Sequence, residues 1–297
     1  MMSMVLIPKP SLFSFEECLW FLNRNYDDCL HHIEPGQLSK ALLVNNELMA
    51  FRLQVDEHHL QLHITHGDGN LSQELLTQYI IDWFDLDRDI TPFYQLLRKN
   101  KTLSYMAADF NGFRLIGIHD LYEALCWSII GQQINLTFAY TLKRRLVEHY
   151  GQSVMVEGQI LYVFPGPEVL QRVTVAELRA MQFSERKAEY LILISQLFAN
   201  GSISKQHLLQ CGSYEEQVAL LTAIRGIGTW TANYALMKTL KQLQAIPYGD
   251  VGLLNALLSH QLIQDKKDTA GIDKLFKRFK GWESYLVFYL WRSLSAK

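Results

Sequence analysis

The sequence predicts two regions in series: an α+β N-terminal domain, a small antiparallel sheet with helices, and then an all-α region. Three observations carry this. Between residues 38 and 65 apolar side chains alternate, most clearly at Leu60, Leu62 and Ile64, which is the period of half-buried strands. From Thr91 onward the apolar spacing is helical, and most segments open on a capping residue or a Pro. Near the C-terminal end, two helix-like runs flank a tight Gly226-Ile227-Gly228 turn. We place the boundary so that the domains are 1–104 and 105–297, with residues 90–117 able to pack with either.

Taken in order, residues 14–24 read as a helix capped by Ser14, with Phe15, Leu19 and Leu22 on one face. The runs LSKALLVN, LMAFRLQV and HLQLHIT form a three-strand meander, with turns at Asn45-Asn46-Glu47 and at 55–58. His58, His59, His63 and His66 gather there. Two of them share a strand face, but no cysteine joins them, so a buried or solvated role is the simpler expectation and no metal is assigned. Residues 71–85 return to helix, and Thr91-Pro92 opens another with Pro in its first turn. Asp120 with Glu123 is a capping-box variant for 120–133, and Thr174 with Glu177 and Ser213 with Glu216 are capping boxes. The helix 135–150 stops at Gly151, and the helix 184–200 closes on Gly201. Only Ile160–Phe164 reads as a strand in this half.

Composition excludes several classes. With 297 residues and 49% hydrophobic content the chain can bury a sizeable core. No apolar run reaches the roughly 18 residues of a membrane span. The first residues lack a basic start, a long apolar stretch and a cleavage site, so we expect no signal peptide and a cytoplasmic protein, nucleoid-associated in a bacterium or nuclear in a eukaryote. Cys18, Cys29, Cys126 and Cys211 are scattered, which gives neither a zinc pattern nor a disulfide framework. A net charge of −2 is not that of a general nucleic-acid binder. Basic residues do concentrate at Lys143-Arg144-Arg145 and between Lys274 and Lys280, where a local face would suffice for phosphate contacts, although taken singly each run reads more simply as a solvated helix face.

The chemistry-bearing stretch is 216–255. Glycines at 226 and 228 permit positive φ and close backbone approach, and Thr229 is expected to cap the second helix. A helix start of this kind presents amides to a phosphate. Asp250 follows in Ile246-Pro247-Tyr248-Gly249-Asp250, at the N-cap position of a helix from Val251, where amides and the positive helix end favour a carboxylate. Each feature alone can be a turn or a cap. Together, Ile224, Gly226-Ile227-Gly228, Thr231-Ala232 and Asp250 resemble the helix-hairpin-helix DNA glycosylase superfamily, whose hairpin grips DNA and whose downstream Asp does the chemistry. Members that also cut the backbone carry a Lys just before the Thr-Ala, as a Schiff-base nucleophile. Trp230 stands there. The segment Gly228 to Tyr234 is similar to the 3-methyladenine glycosylase II (AlkA-type) branch.

The resemblance runs by motif over residues 112–297 and by layout only before that. It implies two helical lobes with an active-site cleft between them. Asp250 would be the catalytic carboxylate, and Trp230, Tyr234 and Trp291 the base pocket. Gln133, in Ile129 to Ile134, would be the wedge that fills the gap left by an extruded base. Arg225, Gly226, Gly228 and Thr231 would be further DNA contacts. Tyr285, Phe288 and Tyr289 are most simply core. The expected partner is double-stranded DNA with alkylated bases of the 3-methyladenine and 7-methylguanine type, acted on by a monomer without lyase activity and without a cofactor, save a monovalent cation that family members can hold at the hairpin. The iron–sulfur subgroup is excluded, since no cysteine follows Cys211. The alternatives are another base specificity such as oxidised guanine, and a non-catalytic protein of the same fold that binds damaged or bent DNA.

Overall fold

A computed structural model describes residues 4–24, 26 and 28–295. In chain order the elements are β1 (Met4–Pro8), α1 (Phe15–Asn23), β2 (His32–Glu34), β3 (Gln37–Val44), β4 (Glu47–Val55), β5 (His59–His66), α2 (Gly69–Phe84), α3 (Thr91–Lys99), α4 (Met106–Asp109), α5 (Leu121–Gly131) and α6 (Leu136–Tyr150). They continue with β6 (Gln152–Val156), β7 (Gln159–Val163), α7 (Pro167–Leu170), α8 (Val175–Ala180), α9 (Glu185–Ala199), α10 (Lys205–Leu209), α11 (Tyr214–Thr222), α12 (Thr229–Thr239), α13 (Val251–Ser259), α14 (Thr269–Lys277) and α15 (Glu283–Ser293). Two compact units result. Met1–Lys9, Leu22–Trp83 and Ile118–Cys211 make the first, and Pro10–Phe21, Phe84–Gly117 and Gly212–Lys297 the second. Position 104, where the sequence reading divides the chain, lies within the Phe84–Gly117 stretch.

The first unit holds a five-stranded antiparallel sheet in the order β1-β5-β4-β3-β2. The expected alternation is present: Leu60, Leu62 and Ile64 of β5 are buried. The β3–β4 hairpin turns on Asn45 and Asn46 at φ 51° and 66°, the left-handed pair that a tight two-residue turn requires. The expected strand in the helical half is β7, and its partner β6 is an addition the sequence reading lacked. Leu161 of β7 joins Ala41 and Ala50 of the sheet in one buried cluster, with Val154, Val156 and Val163 packed against it. Asp120 and Asn135 cap α5 and α6 by accepting the Tyr122 and Phe138 amides, each at 2.9 Å.

In the run 143–145, expected as a solvated helix face, the first residue turns away from solvent. Lys143 is buried and paired with Asp28 at 2.7 Å, Arg144 pairs with Glu148 at 2.8 Å, and Arg145 donates to the Met181 carbonyl at 3.2 Å. Helical periodicity turns Lys143 inward, where charge is tolerated only with a partner. No helix among the described residues is long and apolar enough to cross a membrane.

In the second unit α15 is the central helix, with residues 284–290 all buried. Its two buried tyrosine hydroxyls are paired: that of Tyr285 donates to Asp85 at 2.6 Å, and that of Tyr289 lies 2.8 Å from the hydroxyl of Tyr94. Arg114, 1% exposed, ties three carbonyls together, those of Leu12, Asp85 and Arg88, at 2.8, 3.0 and 2.6 Å. The core role expected for Tyr285, Phe288 and Tyr289 holds, since each is 0% exposed. Trp291 lies in the last turn of this buried helix.

Candidate active site

The hairpin is built by α11, the turn 223–228 and α12. Gly226 takes φ +94°, a left-handed value that favours glycine. The Ile227 amide donates to the Ile224 carbonyl at 3.0 Å and closes the turn. The expected cap at Thr229 is corrected by one residue. Gly228 is the N-cap, with extended backbone and no side-chain cap, and Thr229 is the first helical residue. Arg225 and Gly228 are exposed. Thr231 is 2% exposed, so its side chain packs inside the unit. Its place in the first turn of α12 turns it inward beside Ala232, which is fully buried.

From α12, Trp230 and Tyr234 project at a spacing of four and stack, with centroids 5.4 Å apart and planes 17° from parallel. Tyr234 lies 6.4 Å from Trp291, tilted by 43°, and Trp291 packs on Phe288 at 5.4 Å. All three predicted pocket aromatics are therefore contiguous and half-buried. Asp250 is the N-cap of α13, as expected: its Oδ1 accepts the Leu253 amide at 2.7 Å. The same oxygen accepts the indole Nε1–H of Trp291 at 2.8 Å. The carboxylate thus meets the aromatic wall directly, through Trp291. An anion at the edge of an aromatic surface can hold a cation that is bounded by ring faces on one side and by the carboxylate on another.

A second set of contacts, absent from the sequence reading, positions the segment before Asp250. The Tyr214 hydroxyl of α11 donates to Asn233 Oδ1 at 2.6 Å, and Asn233 Nδ2 of α12 donates to the Ile246 carbonyl at 2.8 Å. Burial, then the neighbouring Tyr248, Glu215 and Glu283, push the Tyr214 phenol pKa up, which keeps it a donor. The available signal was a buried-face Asn on an apolar helix, a residue that requires partners.

The lysines of this region are engaged. Lys238 is 3% exposed, donates to the Ile116 carbonyl and has its ammonium 4.7 and 4.6 Å from the ring centroids of Phe21 and Phe288. Lys241 donates to the Leu115 carbonyl at 2.9 Å. Gln133 belongs to the first unit. It follows the end of α5, is exposed and takes φ +57°, an uncommon value for a side chain other than Asn or Asp. Lys187, at the start of α9, donates to the carbonyl of Ile130 at 2.7 Å, just before that turn.

In this unit, then, a carboxylate caps a helix behind a Gly-x-Gly hairpin and is walled by aromatic rings. Comparison with known proteins gives the family. Residues 126–281 match the HhH-GPD superfamily base excision DNA repair protein family, and residues 30–125 match the 8-oxoguanine DNA glycosylase N-terminal domain. The chain is 35% identical to a DNA-3-methyladenine glycosylase of Bacillus subtilis, over 98% of this chain and 97% of that one. It is 29% identical to DNA-3-methyladenine glycosylase 2 of Escherichia coli, over 65% and 66% of the two chains. In fold it is similar to a 3-methyladenine DNA-glycosylase from Archaeoglobus fulgidus, with a TM-score of 0.83, 22% identity, and 98% and 97% of the two chains covered. The chain belongs to the HhH-GPD superfamily of base-excision DNA repair proteins, as a glycosylase of the DNA-3-methyladenine glycosylase type, a hydrolase of N-glycosidic bonds.

Proposed function

We propose that the protein excises alkylated bases, of the 3-methyladenine and 7-methylguanine type, from duplex DNA by hydrolysis alone. The observation that carries this reading is Asp250 held by two donors beside the Trp230, Tyr234 and Trp291 rings. Bases inside a duplex must be extruded first, at a cost of a few kcal/mol. Arg225 and the backbone at Gly226 and Gly228 would hold a phosphate, and Gln133 would fill the vacated space. A monovalent cation at the hairpin belongs to this proposal as an aid to phosphate binding and carries no chemical step.

Methylation at N3 or N7 gives the base a positive charge. An aromatic face attracts such a cation by about 0.5–2 kcal/mol. The charge also makes the base a good leaving group: the C1′–N bond breaks, its electron pair goes to the base, and the sugar becomes an oxocarbenium-like cation. The Asp250 carboxylate stabilises that charge and orients the water that adds to C1′, whose proton it can accept. Strand cleavage would require an amine nucleophile. Trp230 occupies the position that lyases give to Lys, and Lys238 and Lys241 are held on carbonyls, which supports a glycosylase without lyase activity.

The test is release of free 3-methyladenine from methylated duplex DNA, with strand integrity followed on a denaturing gel. Release with intact strands supports the reading, and no release refutes it. A second reading, excision of oxidised guanine, is favoured by the match of residues 30–125. The same assay on an 8-oxoguanine duplex separates the two.

A further inference from the structure

Asp250 does not share its hydrogen bonds between its oxygens. The Leu253 amide and the Trp291 indole both donate to Oδ1, at 2.7 and 2.8 Å, and Oδ2 accepts from no described residue. One donor comes from the first turn of α13 and the other from α15, so the carboxylate is pinned from two elements. The Trp291 ring lies against residue 252, which has no side chain. A Cβ there would meet Asp250 Oδ1 at 3.1 Å and Trp291 Cδ1 and Nε1 at 3.4 Å each. Gly252 is not among the glycines with positive φ, so its backbone does not call for glycine. An alanine would also serve a first helical turn better. A Cβ here would press on Asp250 Oδ1 itself.

We infer that Trp291, seated in the gap left by Gly252, is a positioning residue for Asp250: it fixes Oδ1 and leaves Oδ2 as the oxygen turned to the sugar cation. A preoriented carboxylate needs no rearrangement as charge develops, which is where such groups act most strongly. This rests on the catalytic reading of Asp250. It adds to the aromatic-wall role of Trp291 a second role that depends on its N–H and not on its ring.

Trp291→Phe keeps a ring against Phe288 and Tyr234 and deletes the donor. The test measures single-turnover base release from methylated duplex DNA for the full-length wild type, Trp291→Phe, Gly252→Ala and Asp250→Asn. It also measures binding to duplexes carrying a cationic pyrrolidine or a neutral tetrahydrofuran abasic analogue. Loss of a hydrogen bond to a charged group corresponds to about tenfold or more. Trp291→Phe should slow turnover by that factor with a much smaller change in half-saturation, and should weaken pyrrolidine binding far more than tetrahydrofuran binding. Gly252→Ala should slow turnover in the same direction without lowering the melting temperature. A wall-only role gives the opposite pattern: half-saturation rises and both analogues weaken equally, which overturns the inference. If Trp291→Phe does not fold, Gly252→Ala decides, and full turnover in it overturns the inference. An inactive wild type would bring down the catalytic reading and this inference together. An inactive Asp250→Asn beside a fully active Trp291→Phe would bring down this inference alone.

Discussion

Asn233 is the node on which the segment leading to Asp250 hangs, so Asn233→Ala should damage stability and turnover together. Asn233 is 5% exposed and makes two bonds, accepting from Tyr214 at 2.6 Å and donating to the Ile246 carbonyl at 2.8 Å. Alanine removes both. The Ile246 carbonyl, on a residue 6% exposed, then lacks its donor, and an unsatisfied buried group costs about 1–3 kcal/mol. The Tyr214 hydroxyl is only partly buried, and its loss adds about 1 kcal/mol. The sum is about 2–4 kcal/mol, read as a lowered urea midpoint at unchanged m value. Tyr214→Phe should lose only the smaller part. Combined with Asn233→Ala it should add almost nothing, because the two share one bond. Single-turnover release should slow in Asn233→Ala, since Ile246 lies four residues before Asp250. A stability within about 0.5 kcal/mol of wild type at unchanged m would mean that Asn233 does not hold this segment.

Two further outcomes follow from the same geometry. Trp230→Lys should not create a lyase, because an amine nucleophile also needs a lowered pKa and an approach to C1′; an adduct trapped by borohydride would contradict this. His31, buried beside Asp28 with its ring nitrogen 4.0 Å from the carboxylate, has its pKa pushed by burial down to about 4. It stays neutral in the fold but takes a proton in the unfolded chain at about 6.5. Its contribution is therefore complete above about pH 6.5 and is lost as pH falls toward about 4. His31→Gln should flatten the fall in urea midpoint between about pH 7 and pH 4.5, and an unchanged fall would count against it.

Much of the fold was legible because its signals are local. The alternation at 60–64, the Asn45-Asn46 turn, the Thr174–Glu177 box and the Asp250 cap each depend on residues a few positions apart. What was not legible depends on distant partners. β1 buries only Ile7 and is defined by pairing with β5, and β6 is mostly exposed and defined by β7. Lys143 looks like part of a basic surface until Asp28, 115 residues away, is found beside it. The Ser213 cap forms as read, but Glu216 accepts the amide of Gly212 at 2.7 Å and does not close a box on Ser213. At the site, the identity of Asp250 was readable. The indole bond that orients it spans 41 residues and was not.

In the proposed reaction Asp250 carries the hydrolysis of the glycosidic bond of an alkylated base. The direct measurement is base release from methylated duplex DNA by wild type and Asp250→Asn side by side, with products separated by chromatography. Wild type should release free 3-methyladenine and the variant almost none, while keeping the fold because asparagine still caps a helix. Full release by Asp250→Asn would contradict the assignment of the carboxylate. Release by neither, with both binding abasic-site DNA, would make the protein a damage-binding member of its family and not an enzyme.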